Sequence, residues 1–349
     1  MQKSKKFFAA VGAVALVAVT ISTAPAHAAS GKIAFLMPDL ASTRYEQQDA
    51  PFFKAAVAKL CPTCEVLYQN ADSDAAKQQS QADAAITQGA KVLVLDAVDA
   101  KAAASIVKTA QAAGVIVITY DRPIIDAVAD FYISFDNEYI GKAIAQSLVK
   151  GLDAKKAKGG ILVVGGSPTD NAAGLIKKGM LAGVAGSKYK VLAKFDTPAW
   201  DPAKAQAWVS GQITQFGSKI VGIVAANDGT GGGSIAALKA AGVKPLPLVT
   251  GNDAEVAAIQ RIIAGDQYNT ISKPIQIVAE GAAKIAVGYL NGTQPKSTGI
   301  LYKTKSQLFT PTVVTAKNIK AQLFDSGLYK AADVCTGVYA AGCKKLGIK

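Results

Sequence analysis

Asp121 and Arg122 stand side by side at the end of the apolar run VIVITY (115–120), directly before Pro123. A carboxylate accepts hydrogen bonds and a guanidinium donates them, so one dipeptide offers both functions. The pattern recurs. Arg44 and Tyr45 follow KIAFLM (32–37), Asp170 follows GILVVGG (160–166), and Trp200 follows VLAKFD (191–196). Asn227, Asp253 and Lys273 stand at the ends of IVGIVAAN (220–227), PLVTGN (247–252) and NTISK (269–273). Such a mix of acceptors and donors suits vicinal hydroxyls, at roughly 1.5–3 kcal/mol for each charge-assisted bond. Tyr45 and Trp200 can stack on the CH face of a ring. Acids and bases together argue against a phosphate or a bare carboxylate. The ligand class that fits is an uncharged, hydroxyl-rich molecule: a monosaccharide. A micromolar complex needs about 8 kcal/mol net, which a handful of such bonds can supply.

Other chemistries use the same residues differently. GTGGGS (229–234) is Gly-rich, but it lacks the Lys-Ser/Thr ending of a phosphate loop, and Ser234 occupies the third Gly position of GxGxxG. Asp228 and Asp253 could hydrolyse a glycosidic bond if correctly spaced, which sequence does not measure. The sole histidine is His27, so Ser-His-Asp catalysis, Cys-His catalysis and His-ligated metals are excluded downstream of it. No cofactor is expected. For Asp170, Asn227 and Asp253, each ahead of a helical run, helix capping and ligand binding both stay open.

The elements that must position these residues alternate. Short β-rich runs, the seven above among them, also include EVLYQN (65–70), VLVLDAV (92–98) and FYISFD (131–136). Between them lie Ala-rich stretches with helix formers; DAAKQQSQADAAITQG (74–89) and DAKAAASIVKTAQAAG (99–114) both end on Gly. Near-continuous apolar strands separated by helices predict an α/β fold with parallel sheets covered on both faces. Ten strands make one wide sheet or two of about five. FDNEYIG (135–141) reads as the passage between two units. In open sheets of this kind ligands bind beyond the carboxyl ends of the strands, where the polar residues fall.

The first 28 residues stand apart. Lys3, Lys5 and Lys6 precede the apolar run AAVGAVALVAVTI, and APAHA ends in small residues, so a secretory signal peptide with cleavage after Ala28 is expected. No Cys follows the run, so no lipid anchor is expected, and no later stretch reaches transmembrane length. Export into a periplasm is the expectation, with secretion or a cell-surface location as alternatives. Loss of three Lys and no acid takes the formal charge from +13 to +10. The Lys are scattered, with doublets such as Lys155–Lys156, and no basic stripe interleaves with aromatics, so nucleic acid is not an expected partner. Cys61, Cys64, Cys335 and Cys343 in an exported chain favour disulfides; 61–64 and 335–343 are the most local of three connectivities. CPTC (61–64) precedes a strand rather than opening a helix, which argues for a staple over a redox motif.

Several blocks together then resemble the type I periplasmic sugar-binding proteins of ABC transporters, the D-xylose-binding type and its multiple-sugar relatives: YDRPI (120–124), DFYISFDNE (130–138), GGSPTDN (165–171), ANDGTGGGSIAAL (226–238), GNDAEVAAIQRIIAGDQY (251–268) and SKPI (272–275). The resemblance runs from Gly31 to about Lys330. It implies two Rossmann-like lobes joined by a three-segment hinge, 31–136 plus 274–306 and 137–273 plus 307–349, in a chain that binds sugar without altering it. It implies that Arg44, Asp121, Arg122 and Lys273 bond hydroxyls from the first lobe and hinge, and Asp170, Asn227 and Asp253 from the second. Trp200 would stack on the ring and Tyr45 cover its other side. Partners implied are a monosaccharide, a membrane permease and, for sensing, a chemoreceptor; the chain would act as a monomer. Two departures bear on which sugar: Ala172 replaces an expected amide, and Ala41 an expected base.

Overall fold

Each of the ten apolar runs forms a strand in the structure, a computed structural model describing residues 30–349; the expected signal peptide, 1–28, lies outside the described residues. The strands are β1 (Gly31–Met37), β2 (Cys64–Asn70), β3 (Ala90–Leu95), β4 (Ile116–Tyr120), β5 (Phe131–Phe135), β6 (Gly160–Gly165), β7 (Val191–Asp196), β8 (Ile220–Ala225), β9 (Leu248–Val249) and β10 (Asn269–Ser272). Three more, β11 (Gly299–Leu301), β12 (Thr304–Phe309) and β13 (Thr312–Thr315), were not expected from sequence. Helices intervene: α1 (Ala50–Leu60), α2 (Ala75–Thr87), α3 (Ala103–Ala112), α4 (Asn137–Ala154), α5 (Asn171–Val184), α6 (Pro202–Phe216), α7 (Asp228–Ala240), α8 (Val256–Ala264), α9 (Ile275–Leu290), α10 (Ala331–Val334) and α11 (Ala340–Lys345). Gly89 and Gly114, just past α2 and α3, take φ of +85° and +73°, the left-handed stop that a β-carbon would oppose.

The strands sort into a seven-stranded sheet in the order β11-β12-β5-β4-β3-β1-β2, a four-stranded sheet β7-β6-β8-β9, and the antiparallel pair β10-β13. Within the two larger sheets only β11 against β12 is antiparallel. The expectation of two sheets of about five thus needs amending: β10 leaves the second sheet to pair with β13, and the first gains β11 and β12. Counted within each half, both sheets run second-first-third-fourth, so each reverses strand order between its first and third strands. Such a reversal opens a crevice at the carboxyl ends.

Alternation along the strands builds a core on each face. In β1, Ile33, Phe35 and Met37 join one buried cluster while Ala34 and Leu36 join another. In β6, Ile161 and Val163 face the first of these clusters while Leu162 and Val164 face a third, with Val209 and Ile235. The chain passes between the seven-stranded sheet and the other strands three times, after Phe135, after Ser272 and after Phe309. β12 stays paired with β5 through Phe309.

Cys61–Cys64 closes the turn from α1 into β2, and Cys335–Cys343 ties α10 to α11. That C-terminal tail is not a loose appendage: Val334, Cys343 and Ile348 are buried with Ile259, Ile262 and Ile263 of α8. Among the described residues no helix is long and apolar enough to cross a membrane.

Candidate ligand-binding cleft

The Asp121–Arg122 pair is held by its neighbouring strand. Asp121 N–H donates to the Ile133 carbonyl at 3.0 Å, and the Asp121 carbonyl accepts from Tyr132 Oη at 2.9 Å and Ser134 Oγ at 2.8 Å. Asp121 sits at φ +55°, Trp200 at +57° and Asp253 at +105°. Three of the nine candidate residues therefore occupy a backbone region that costs of order 1–3 kcal/mol and persists where the surroundings impose it. Arg44 and Tyr45 open a π-helical turn, Tyr45–Asp49, that runs into α1.

Eight of the nine candidates line one cleft between the two halves: Arg44, Tyr45, Asp121, Arg122, Trp200, Asn227, Asp253 and Lys273. Its cavity volume is about 30 Å³, well below the ~300–1,000 Å³ usual for small-molecule sites, so the side chains leave little free space in it. All nine candidates are buried. Asp170 stands one layer back. Its Oδ1 accepts from Ala172 N–H at 2.7 Å, capping α5, and its Oδ2 accepts from Trp200 Nε1 at 3.0 Å and lies 3.2 Å from Arg122 Nε. Capping and site assembly thus use different oxygens of one carboxyl. Asn227 likewise caps α7, its Oδ1 accepting from Thr230 N–H at 2.8 Å.

The charges are interlocked. Arg44 donates to Asp49 through Nε at 3.0 Å and Nη2 at 2.7 Å, and its Nη1 lies 3.4 Å from Asp121 and 3.6 Å from Asp253. Arg122 pairs with Asp39, lies 3.5 Å from Asp96, and donates to the Ala97 carbonyl at 3.0 Å. Lys273 Nζ meets Asp253 Oδ1 at 2.5 Å. Burial alone would lower the pKa of Arg44, but Asp121 and Asp49 hold it well above the usual value. Burial would raise Asp121; Arg44, Lys273 and Arg122 outweigh it and hold the carboxyl below its usual range. Asp49, Asp96 and Asp170 are pushed up, first by burial, with the guanidinium beside each only partly offsetting it. Asp121 is therefore a firmly ionised acceptor.

Aromatic rings complete the walls. Arg44 and Arg122 lie over the Tyr45 ring at 5.1 and 5.8 Å, and the Tyr45 hydroxyl accepts from Arg122 Nη2 at 3.2 Å and donates to Asp121 at 3.3 Å. Trp200 lies flush on Gly166, where a β-carbon would come within 2.1 Å of the indole. Only glycine lets the ring sit there.

Four further residues of the lining, Ser42, Asn137, Ile176 and Asn252, were not singled out from sequence. Ile176 and Ala172 of α5 make one wall apolar, and Asn137 and Asn252 add two amides. Both asparagines lie in quoted blocks, FDNE and GND, but an Asn beyond a strand reads as a cap or turn. Across the cleft, Asn171 Nδ2 donates to the Pro123 carbonyl at 2.9 Å and Ala100 N–H to the Thr169 carbonyl at 3.0 Å. With Arg44 near Asp253 and Arg122 near Asp170, these contacts hold the two halves together around the space.

Residues 33–294 match the periplasmic binding protein domain family. The D-xylose-binding periplasmic protein of Escherichia coli (strain K12) is 35% identical over 322 residues, covering 90% of this chain and 96% of that one. The multiple sugar-binding periplasmic receptor of Rhizobium radiobacter is 32% identical over 345 residues, covering 91% and 97%. The crystal structure of an ABC transporter solute-binding protein from Clostridium phytofermentans with bound beta-D-glucose superposes with a TM-score of 0.80 at 27% identity, covering 87% of this chain and 99% of that one.

Proposed function

This chain belongs to the periplasmic binding protein domain family, and from that premise we propose that it captures an uncharged monosaccharide, D-xylose or a similar pyranose, in its cleft and delivers it to an ABC permease. The observation that carries the reading is the lining: buried side chains of both charge signs, from both halves, enclose one small space with Trp200 at its edge. Ion-paired groups fixed in advance bind hydroxyls without first having to be ordered, which favours affinity.

On this reading residues 31–136 with 274–309 form the first lobe, and 137–273 with 310–349 the second. Arg44, Asp121, Arg122 and Lys273 bond hydroxyls from the first lobe and hinge; Asn227 and Asp253 do so from the second. Trp200 and Tyr45 close on the ring, and Asp170 orients Trp200 and Arg122. The lobes close by hinge motion about the three crossings, and the sugar selects the closed form. The protein works in the periplasm as a monomer and releases its ligand chemically unchanged. The Rhizobium relative is called a receptor, which supports a second use of the same closed form, presentation to a chemoreceptor.

The test is a melting-temperature and calorimetric screen of the leader-free protein against D-xylose, D-glucose, D-galactose, L-arabinose and D-ribose. At least one should bind with micromolar or tighter affinity, raise the melting temperature by mass action, and be recovered intact. No shift with any of the five at millimolar concentration would overturn the reading.

A further inference from the structure

Two amides in the cleft lining have no structural task. Asn137 is 4% exposed and Asn252 2% exposed, and both line the cleft. Neither Asn137 Nδ2 nor Asn252 Oδ1 has a hydrogen-bond partner among the described residues. The local duties open to these side chains are taken by other groups. Asp136 caps α4, its Oδ1 accepting from Tyr139 N–H at 2.9 Å, so Asn137, the first residue of that helix, is spare. At Asn252 the backbone carbonyl accepts from Asp228 N–H at 2.9 Å, so the main chain alone fixes that turn.

Other buried amides of the protein are used structurally. Gln81 donates through Nε2 to the Asn70 carbonyl at 3.0 Å, and Asn269 through Nδ2 to the Ile144 carbonyl at 3.3 Å. Each has one unpaired oxygen, but neither lines the cleft. Asn137 and Asn252 combine burial, an unpaired atom and a place in the lining. Their positions are also informative. Asn137 follows the first crossing, Lys273 sits at the second, and Asn252 directly precedes Asp253. Lys273 is already paired with Asp253, the residue next to Asn252.

We infer that Asn137 and Asn252 form a subsite that receives a hydroxyl of the bound sugar, Asn137 donating and Asn252 accepting, and that this pair sets which hydroxyl pattern is admitted. A hydroxyl is both donor and acceptor, so one such group satisfies the unpaired atom on each side. A buried polar atom left unpaired is costly, which gives a sugar offering that hydroxyl an advantage over its deoxy counterpart. Ala172 and Ile176 make another part of the lining apolar, so polar discrimination is concentrated away from α5.

The inference rests on the proposed function, and the experiment separates the two. Wild type, Asn137→Ala and Asn252→Leu, each as the full leader-free chain, are titrated with D-glucose and D-xylose, and ligand-free melting temperatures are recorded. Each variant should weaken binding by about tenfold or more while its ligand-free melting temperature holds or rises, because an unpaired polar atom has been replaced by an apolar one. A structural role would instead lower the melting temperature. Should Asn137→Ala not fold, Asn137→Ser replaces it. Affinities within about twofold of wild type in both positions would overturn the inference while leaving sugar binding intact. Absence of binding by wild type to either probe would remove the premise and the inference with it.

Discussion

The two sides of the cleft hold their polar side chains still by different means. On the first-lobe side, charge holds charge: Arg44 is fastened to Asp49 and faces Asp121, and Arg122 is fastened to Asp39 and faces Asp96. On the second-lobe side, backbone holds charge or amide: Asp170 and Asn227 are pinned by the first N–H groups of α5 and α7. Asp228, behind Asn227, accepts from Glu255 N–H, Gln267 and Thr270 rather than from a guanidinium. Both arrangements preorganise a site, but they fail differently. A capped side chain can be removed and the helix frays; removing one member of a buried ion lattice strands the others in a dry interior.

The largest effect therefore belongs to Arg122. Arg122→Ala leaves Asp39, Asp96 and Asp170 without their shared cation. The expected cost is roughly 3–5 kcal/mol, the range for breaking a buried pair from one side. Chemical denaturation would read it, and a loss under about 1 kcal/mol would break the contrast between the two sides.

The same contrast explains what was legible in the sequence. Central parallel strands buried on both faces must be apolar throughout, so β1, β3, β4, β5, β6 and β8 stand out as runs. β11 and β13 are three and four residues long, and β12, TKSQLF, opens on four polar residues, so none carries that signal. Asp121 and Arg122 were legible because charges beside an apolar run are unusual; Arg44, well past the end of β1, was marked out by the resemblance. Asp170 was legible as a cap and as a site residue, and the geometry gives one oxygen to each task. Asn137 and Asn252 were not, because nothing local distinguishes an amide that lacks a partner from one that has it.

A second effect, smaller and dependent on pH, arises behind the second-lobe wall. The Glu255 carboxyl is pushed up to about 8, first by burial and then by Asp228 and Asp253, with the Thr43 hydroxyl of the other lobe pulling it back. Asp228 is pushed up to about 7, first by burial, with Arg261 opposing. In the unfolded chain both titrate near 4. Between about 4 and these raised values the folded protein binds more protons than the unfolded one, so stability falls as pH rises. The slope is of order 1 kcal/mol per pH unit for each proton retained. Thermal melts from pH 6 to 9 should show the decline, and Glu255→Gln should flatten its upper part. A melting temperature that holds or climbs over that span would show that these carboxyls are ionised like that of Asp121, and the contrast would be lost.

The smallest effect sharpens the comparison most. Asn227 divides its amide between two tasks: Oδ1 caps α7, in a reciprocal box with Thr230, while the side chain lines the cleft. Serine caps a helix about as well as asparagine, whereas alanine does not, at roughly 0.5–2 kcal/mol. Asn227→Ser should keep stability near wild type and lose the amide donor; Asn227→Ala should lose both. Equal sugar affinities in the two variants, each about tenfold or more below wild type, combined with unequal stabilities, would show that cap and ligand contact are separable on this side. No substitution of Arg122 can make that separation, because its guanidinium is at once the cleft group and the counter-charge of three carboxyls. If Asn227→Ser binds sugar as wild type does, the amide serves the helix alone, and recognition from the second lobe falls to Asp253, Asn252 and Trp200.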